Sequence, residues 1–401
     1  MGAVRVSVQS AARLLNRQNT KADPRGMNRS LSLLAALATL VVVALMSLPS
    51  GNAVASGGQA PGAADPNPLV GQSWWTMDPK WDPRWIDTVK LADEGKAADA
   101  LTMSKLAQVP QFRWWGQWEK PLASKLGGSF KAMEDLAPGS VPLLAVHRHQ
   151  GEACNPRYQA GGPAEDARYR KWIDQFAATV GSREVVIAFE PDSLGTIECL
   201  AVSRRKARVK MLAYGVDVLS KLPNATVYIE AGASDWQGVP AMAKKLKAVG
   251  VHKVRGFMLN ATHQDTTANN IRYGERLSRA LGGKHFIVNT SHNGNGSIRR
   301  KVWINRKRNL WRVDTEWCNP VNAAAGELPT TQTGHALVDA FMWVERPGYS
   351  NGACNGGPAR VGAWWRERAL LLVQRAAWRD TVVPLPIEQL LAPDLLSGRL
   401  N

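Results

Sequence analysis

Two carboxylates, Glu190 and Asp192, flank Pro191 at the end of an apolar run, Val185 to Phe189. The run reads as a strand buried on both faces, because its apolar residues do not alternate with polar ones. Pro191 cannot donate to a sheet ladder, so the strand ends near it. Both carboxylates then sit where a strand meets a loop. In α/β folds that carboxyl edge is where ligands bind. A carboxyl group beside apolar strand ends tends toward a raised pKa, which suits a general acid. The competing reading is a helix-capping Asp in an ion pair, because perturbed carboxylates also occur outside active sites.

The elements that must carry this loop follow from periodicity. Apolar runs at Val141 to Val146, Val185 to Phe189, Thr226 to Ile229, Gly256 to Leu259, His285 to Val288 and Ala340 to Val344 predict strands. Amphipathic segments fall between them, among them Ala164 to Val180 and Ser203 to Lys221, and Trp364 to Arg379 reads as a last helix. Strand and helix in alternation mean a parallel sheet with helices outside it, and a sheet of this size closes readily into an α/β barrel. No internal repeat is found.

The chain has 401 residues, 45% hydrophobic and 21% charged, the composition of a globular protein. Trp is frequent, 16 against 7 Phe and 6 Tyr, and indole faces stack on flat apolar ligand faces, sugars included, as well as filling cores. The formal charge is +17, of which Arg5, Arg13, Arg17, Lys21, Arg25 and Arg29 against Asp23 place +5 in the first 30 residues. Such a charge attracts polyanions. The short clusters Arg204-Arg205-Lys206 and Arg299-Arg300-Lys301 are read as solvated helix faces, and no nucleic-acid recognition motif is present.

Leu33 to Leu48 is an uncharged run of 16 residues, short of the roughly 20 that span a membrane. Ala53-Val54-Ala55 follows, the small-x-small pattern of signal cleavage. Residues 1–55 are therefore read as a secretory signal, with Met27 as an alternative start. An uncleaved N-terminal anchor outside the cell is the rival. Ser56 to Pro68, rich in Gly, Ala and Pro, is read as a flexible linker. Residues 69–385 form the main domain, with no folded module before it, and 386–401 a tail. Secretion favours disulfides among Cys154, Cys199, Cys318 and Cys354. Four cysteines allow three pairings. The sequence-adjacent one, Cys154 with Cys199 and Cys318 with Cys354, closes two moderate loops. No ligand spacing for a metal is present.

Read together, several motifs resemble glycoside hydrolase family 6. They are Glu190-Pro191-Asp192-Ser193-Leu194, Tyr228-Ile229-Glu230-Ala231-Gly232 with Trp236, and Asn289-Thr290-Ser291 with Asn293-Gly294-Asn295-Gly296. Trp317-Cys318-Asn319-Pro320, Thr330 to Gly334, and Leu337 to Phe341 with Trp343-Val344 continue the match in order, from about Leu69 to about Arg379. The resemblance implies a distorted, incomplete TIM-like α/β barrel with parallel strands. It implies inverting hydrolysis of β-1,4-glucan without a metal or other cofactor, and the two sequence-adjacent disulfides. Asp192 takes the general-acid position, and Trp114, Trp236, Asn260 and Trp317 match sugar-contacting positions.

The departures from the family pattern gather at the catalytic centre. His147 and Ala153 stand where a Tyr and an Asp are usual. Gly348-Tyr349-Ser350-Asn351-Gly352 carries Asn351 in place of the often-named base, and Glu345 replaces a Lys. Ala233 replaces a His, and Asn289-Thr290-Ser291-His292 replaces an Asp-Thr-Ser-Arg run. A neutral amide such as Asn351 cannot accept a proton, so it is left as a substrate contact. Inversion needs a second group, usually a carboxylate about 6.5–9.5 Å from the acid. Glu152, beside the lost Asp and next to Cys154, is the first candidate base, and Glu345 the alternative. Surface or ion-paired carboxylates are the competing reading for both. His147 and His149 could relay protons.

The expectation is thus a secreted, monomeric, endo-acting β-1,4-glucanase that binds polysaccharide and neither nucleic acid nor membrane. The endo mode rests on the short Cys318 to Cys354 segment, which leaves little room for a tunnel-forming lid. The rivals are a glycan-binding relative with impaired catalysis, and a hydrolase of another β-glycan.

Overall fold

The computed structural model describes residues 66–148 and 162–390. Near the start of the described residues, the Asn67 side-chain amide donates to Asp339 O at 2.7 Å. Leu69, two residues on, is fully buried.

Eight strands form one parallel sheet. They are β1 (Trp74–Trp75), β2 (Arg113–Trp115), β3 (Val141–Val146), β4 (Val185–Phe189), β5 (Ala225–Glu230), β6 (Gly256–Leu259), β7 (His285–Asn289) and β10 (Val338–Met342). The order is β1-β3-β4-β5-β6-β7-β10, with β2 also on β3, and every pairing is parallel. The sheet curls without a closing ladder. Across the gap, Phe112 N–H donates to Trp343 O at 2.9 Å, and Trp114 Nε1 to Val344 O at 2.7 Å. This is the incomplete barrel expected from the sequence.

Burial explains why the strands read as unbroken apolar runs. In β4, Val185, Ile187 and Phe189 pack outward under the helices, while Val186 and Ala188 fill the interior with Leu143, Ala145, Tyr228, Met258 and Ile287. Both faces are thus covered. The outer layer includes α3 (Leu122–Leu136), α4 (Pro163–Val180), α5 (Val202–Leu219), α6 (Val239–Val249) and α7 (Thr267–Ala280). A second cluster joins α1 (Pro83–Asp93), α2 (Ala97–Ala107) and α8 (Arg366–Gln374). At the amino-terminal rim, buried Asp339 accepts from Tyr228, Arg255 and His285 at 2.6 to 3.0 Å. That network leaves the carboxyl-terminal rim for chemistry.

Several elements differ from the sequence reading. Strand β10 covers Val338–Met342, not Ala340 to Val344. The N–H groups of Val344 and Glu345 donate to the Asn289 side chain at 2.9 and 3.1 Å, so a side chain takes over from the ladder. The last helix is shorter, Arg366–Gln374 rather than Trp364 to Arg379. Arg299-Arg300-Lys301 lies on no helix. It opens an exposed antiparallel hairpin, β8 (Arg299–Asn305) with β9 (Leu310–Thr315). The end of the main domain packs, with Leu385 N–H donating to Ser104 Oγ, and the segment read as a tail begins with a short helix, α9 (Ile387–Leu390).

Cys318 and Cys354 form a disulfide. Residues 1–65, the tail from 391, and Cys154 lie outside the described residues, so the signal, most of the linker and the Cys154–Cys199 pairing are not described. Among the described residues no helix is long and apolar enough to cross a membrane, and no group of three or more His, Cys, Asp or Glu side chains is placed to hold a metal ion.

Candidate active site

Strand β4 delivers Glu190 and Asp192 to the carboxyl-terminal rim, but to different places. Both adopt left-handed backbone conformations, φ 58° and 68°, a strained choice for residues with a Cβ. Glu190 turns inward and is fully buried. Its Oε2 accepts Arg148 N–H at 3.0 Å, and buried Arg148 and Arg208 bring guanidinium charge to it. Glu190 is therefore an anchor for the turn. Asp192 points the other way and stays half-buried, with Oδ1 accepting the Thr262 hydroxyl at 2.5 Å.

The loop that carries Asp192 is held from β5. Glu230, buried at the end of that strand, accepts the N–H groups of Leu194, Gly195 and Gly232 at 2.8, 3.2 and 2.5 Å. Burial, helped by the charge of nearby Asp192, pushes its pKa up to about 7 against those three bonds, which favour the carboxylate. Glu230 is too enclosed to meet a substrate. It sets the position of the acid loop.

Glu345 follows β10 and is also buried. Burial raises its pKa to about 8; Arg346 opposes this, Asp192 adds to it, and a hydrogen bond from Asn351 opposes it again. Glu230 and Glu345 therefore each feel the charge of Asp192 at this rim. Glu345 lines a cleft with Gln264, His292, Asn319, Asn351 and Arg368. His292 is buried too, and burial, then Arg368 and His263, push its pKa down to about 3. It is neutral, with Nδ1 on Ser291 Oγ at 3.0 Å and Nε2 without a hydrogen-bond partner.

Asn351 has two duties. Its Oδ1 accepts Asn319 N–H at 3.3 Å while its own N–H donates to Asn319 Oδ1 at 2.9 Å, next to the Cys318–Cys354 disulfide. Its amide also donates to Glu345. An Asp at 351 would set a second carboxylate against Glu345, and like charges in so enclosed a place repel strongly. The neutral amide at 351 avoids that repulsion.

The aromatic candidates share the rim. Trp114 is half-buried with its indole N–H on Val344 O, and its ring lies 5.0 Å from His147 and 5.6 Å from the Arg346 guanidinium. Trp118, exposed, has its ring 6.1 Å from the same imidazole. Trp236 stacks on His263 at 4.5 Å and 14°, and His263 is held by Asp235 at 3.0 Å. Trp317 is 48% exposed, with its carbonyl accepting from Gln264 at 3.2 Å. Asn260 corrects the sequence reading. It is fully buried, in a left-handed turn, with its amide spent on the carbonyls of Asp265 and Asn289 at 3.1 Å each. It braces loops and has no surface to offer a sugar.

Glu152, His149 and Ala153 lie outside the described residues. Thr262 was missed from sequence because nothing in Asn260-Ala261-Thr262-His263 marks its hydroxyl as pointing 70 residues back to Asp192. Glu230 stood inside a quoted motif, but its role depends on backbone groups 35 and 36 residues away.

Comparisons with known proteins bear on the family and the fold. A family model described as glycosyl hydrolases family 6 matches residues 70–376. Endoglucanase A of Cellulomonas fimi is 36% identical over 281 residues, 70% of this chain, which spans 57% of that relative's length. Endoglucanase 1 of Streptomyces halstedii is 30% identical over 340 residues, 83% of this chain and 97% of the relative. Among solved structures, the endoglucanase Cel6 from Mycobacterium tuberculosis, in complex with methyl-cellobiosyl-4-deoxy-4-thio-β-D-cellobioside, is similar with a TM-score of 0.65 and 34% identity. The match covers 77% of this chain and 98% of that one.

Proposed function

Because the chain belongs to the glycosyl hydrolases of family 6, we propose that it is an inverting, endo-acting β-1,4-glucanase with Asp192 as general acid. The observation that carries this is the Asp192 carboxyl, half-buried at the barrel's carboxyl-terminal rim and held by Thr262, whose neighbour His263 carries the stacked Trp236. Indole faces at Trp114, Trp236 and Trp317 suit the apolar faces of glucose rings.

Glu345 supplies the second proton site. Burial holds its pKa at about 8, so the fraction present as carboxylate, able to take a proton from the attacking water, grows as pH rises toward 8. Glu152, proposed from sequence alone, is the rival for this part. Asn351 orients Glu345 and does not itself accept a proton.

Export from the cell is the setting that fits the apolar run Leu33 to Leu48 and the Cys318–Cys354 disulfide. A single chain suffices for the site. The short disulfide-tied segment beside the cleft favours endo attack. Asn351 also supports a second reading, a glycan-binding relative without turnover. Proton NMR of fresh hydrolysate of a soluble β-1,4-glucan separates them. Initial α-anomer product supports the inverting hydrolase, β-anomer product contradicts inversion, and binding without product supports the second reading.

A further inference from the structure

The β8–β9 hairpin is unlike the rest of the rim. Residues 299–315 contain Arg299, Arg300, Lys301, Arg306, Lys307, Arg308 and Arg312 against Asp314, seven cations to one acid. Its apolar side chains are exposed as well. Trp303 and Trp311 are 41% and 44% accessible and are directly paired across the strands. Lys301 shares their face, with its ammonium 5.0 and 4.2 Å from the two ring centroids.

The hairpin grows out of the cleft wall. Ser297 Oγ donates to Asp235 Oδ2 at 2.6 Å, beside Trp236, and Arg299 pairs with Asp265 at 2.8 Å. At the other end, Glu316 N–H returns to Ile298 O, and Trp317 follows at once. The hairpin's two ends thus lie beside Trp236 and Trp317.

We propose that this hairpin is a binding arm for an anionic glycan, a β-linked polymer carrying carboxylate or similar charges, that extends from the cleft. The inference rests on the glycanase reading of the cleft. Trp303 and Trp311 offer stacking faces for sugar rings, and Lys301 and the exposed tip Arg306-Lys307-Arg308 meet the charges along the chain. A lipid surface fits less well. The tip is wholly polar, Arg306 to Asn309, and the apolar residues lie along the flanks, the reverse of a segment that inserts its end into a bilayer.

Kinetics of the full chain on carboxymethyl-cellulose and on neutral hydroxyethyl-cellulose test this. The variant Arg306→Gln/Lys307→Gln/Arg308→Gln is expected to raise KM on the charged polymer about fivefold at low salt and to leave the neutral one unchanged. Salt at about 1 M, where charges are screened beyond roughly 3 Å, is expected to erase the difference. Trp303→Ala/Trp311→Ala is expected to raise KM on both. Equal shifts on both polymers in the tip variant, or no shift, overturn the arm; so does unchanged KM in the indole variant. If wild type turns over neither polymer, retardation in native gels cast with carboxymethyl-cellulose is read instead. Retardation lost in the tip variant upholds the arm while the hydrolase reading falls, and absent retardation of wild type overturns the arm too. Flotation with phosphatidylglycerol vesicles that needs the tip, while polymer binding does not, also overturns it, in favour of a membrane surface.

Discussion

The Thr262 hydroxyl donates to Asp192 Oδ1 at 2.5 Å, bridging the loops after β6 and β4 across the intervening β5. The backbone at Asp192 is left-handed, and this bond fixes how its carboxyl is turned. Thr262→Val keeps the shape and removes the donor. It is expected to lower kcat about tenfold, part of what a well-placed acid contributes, with KM little changed. Thr262→Ser should restore most of the loss. Unaltered kcat in Thr262→Val would show that Asp192 needs no such positioning.

A pH profile separates the two candidate bases. With its pKa pushed up to about 8, Glu345 becomes the carboxylate that a base must be only as pH rises toward 8, so kcat/KM should climb with pH up to about 8 if Glu345 is the base. Glu345→Gln is expected to lower kcat at least about 10²-fold and to remove that acidic limb. Glu152→Gln should leave the limb in place. The reverse pattern assigns the base to Glu152.

Stability carries the same signature. Glu345 and Glu230 have folded-state pKa values of about 8 and about 7, above the ordinary 4.5. The folded chain therefore keeps protons that the unfolded chain has released. Their contribution is complete below about pH 4.5 and is lost as pH rises through 7 and 8. His292, pushed down to about 3, acts oppositely: its contribution is present above about pH 6.5 and lost toward acid. Thermal melts should show Glu345→Gln gaining on wild type between pH 5 and pH 8.5, on the order of a few kcal/mol. A constant difference across that range would mean that Glu345 is not buried as an acid.

Trp236 has a backstop in Gly195. A Cβ on Gly195 would lie 2.2 Å from the indole, and that ring is already stacked on His263. Gly195→Ala must displace Trp236. An increase in KM of about tenfold, with a smaller change in kcat, is expected if the indole holds a sugar, the order of one lost aromatic contact. KM at the wild-type value would remove Trp236 from the binding surface.

The barrel was legible wherever burial leaves a pattern. Strands covered on both faces, such as Val141–Val146 and Val185–Phe189, read as continuous apolar runs and begin and end where expected. The β8–β9 hairpin was not legible, because both its faces are exposed and its cations interrupt any apolar alternation. In the site, Pro191 exposed the strand end that carries Asp192, since its effect is local. The turning of Glu190 inward, the bracing role of Asn260 and the grip of Glu230 depend on groups distant in the chain. Asn351 and Glu345 each read as a loss or a surplus by itself. Only their contact shows that one accommodates the other.

The most direct measurement compares wild type with Asp192→Asn on a panel of soluble β-glucans, following product formation and thermal unfolding together. Wild type is expected to release short β-1,4-gluco-oligosaccharides from within the chain. Asp192→Asn should melt within a few degrees of wild type yet lose at least about 10²-fold in kcat. An Asp192→Asn variant that folds and turns over as fast as wild type would contradict the assignment of the acid, and with it the account of the site.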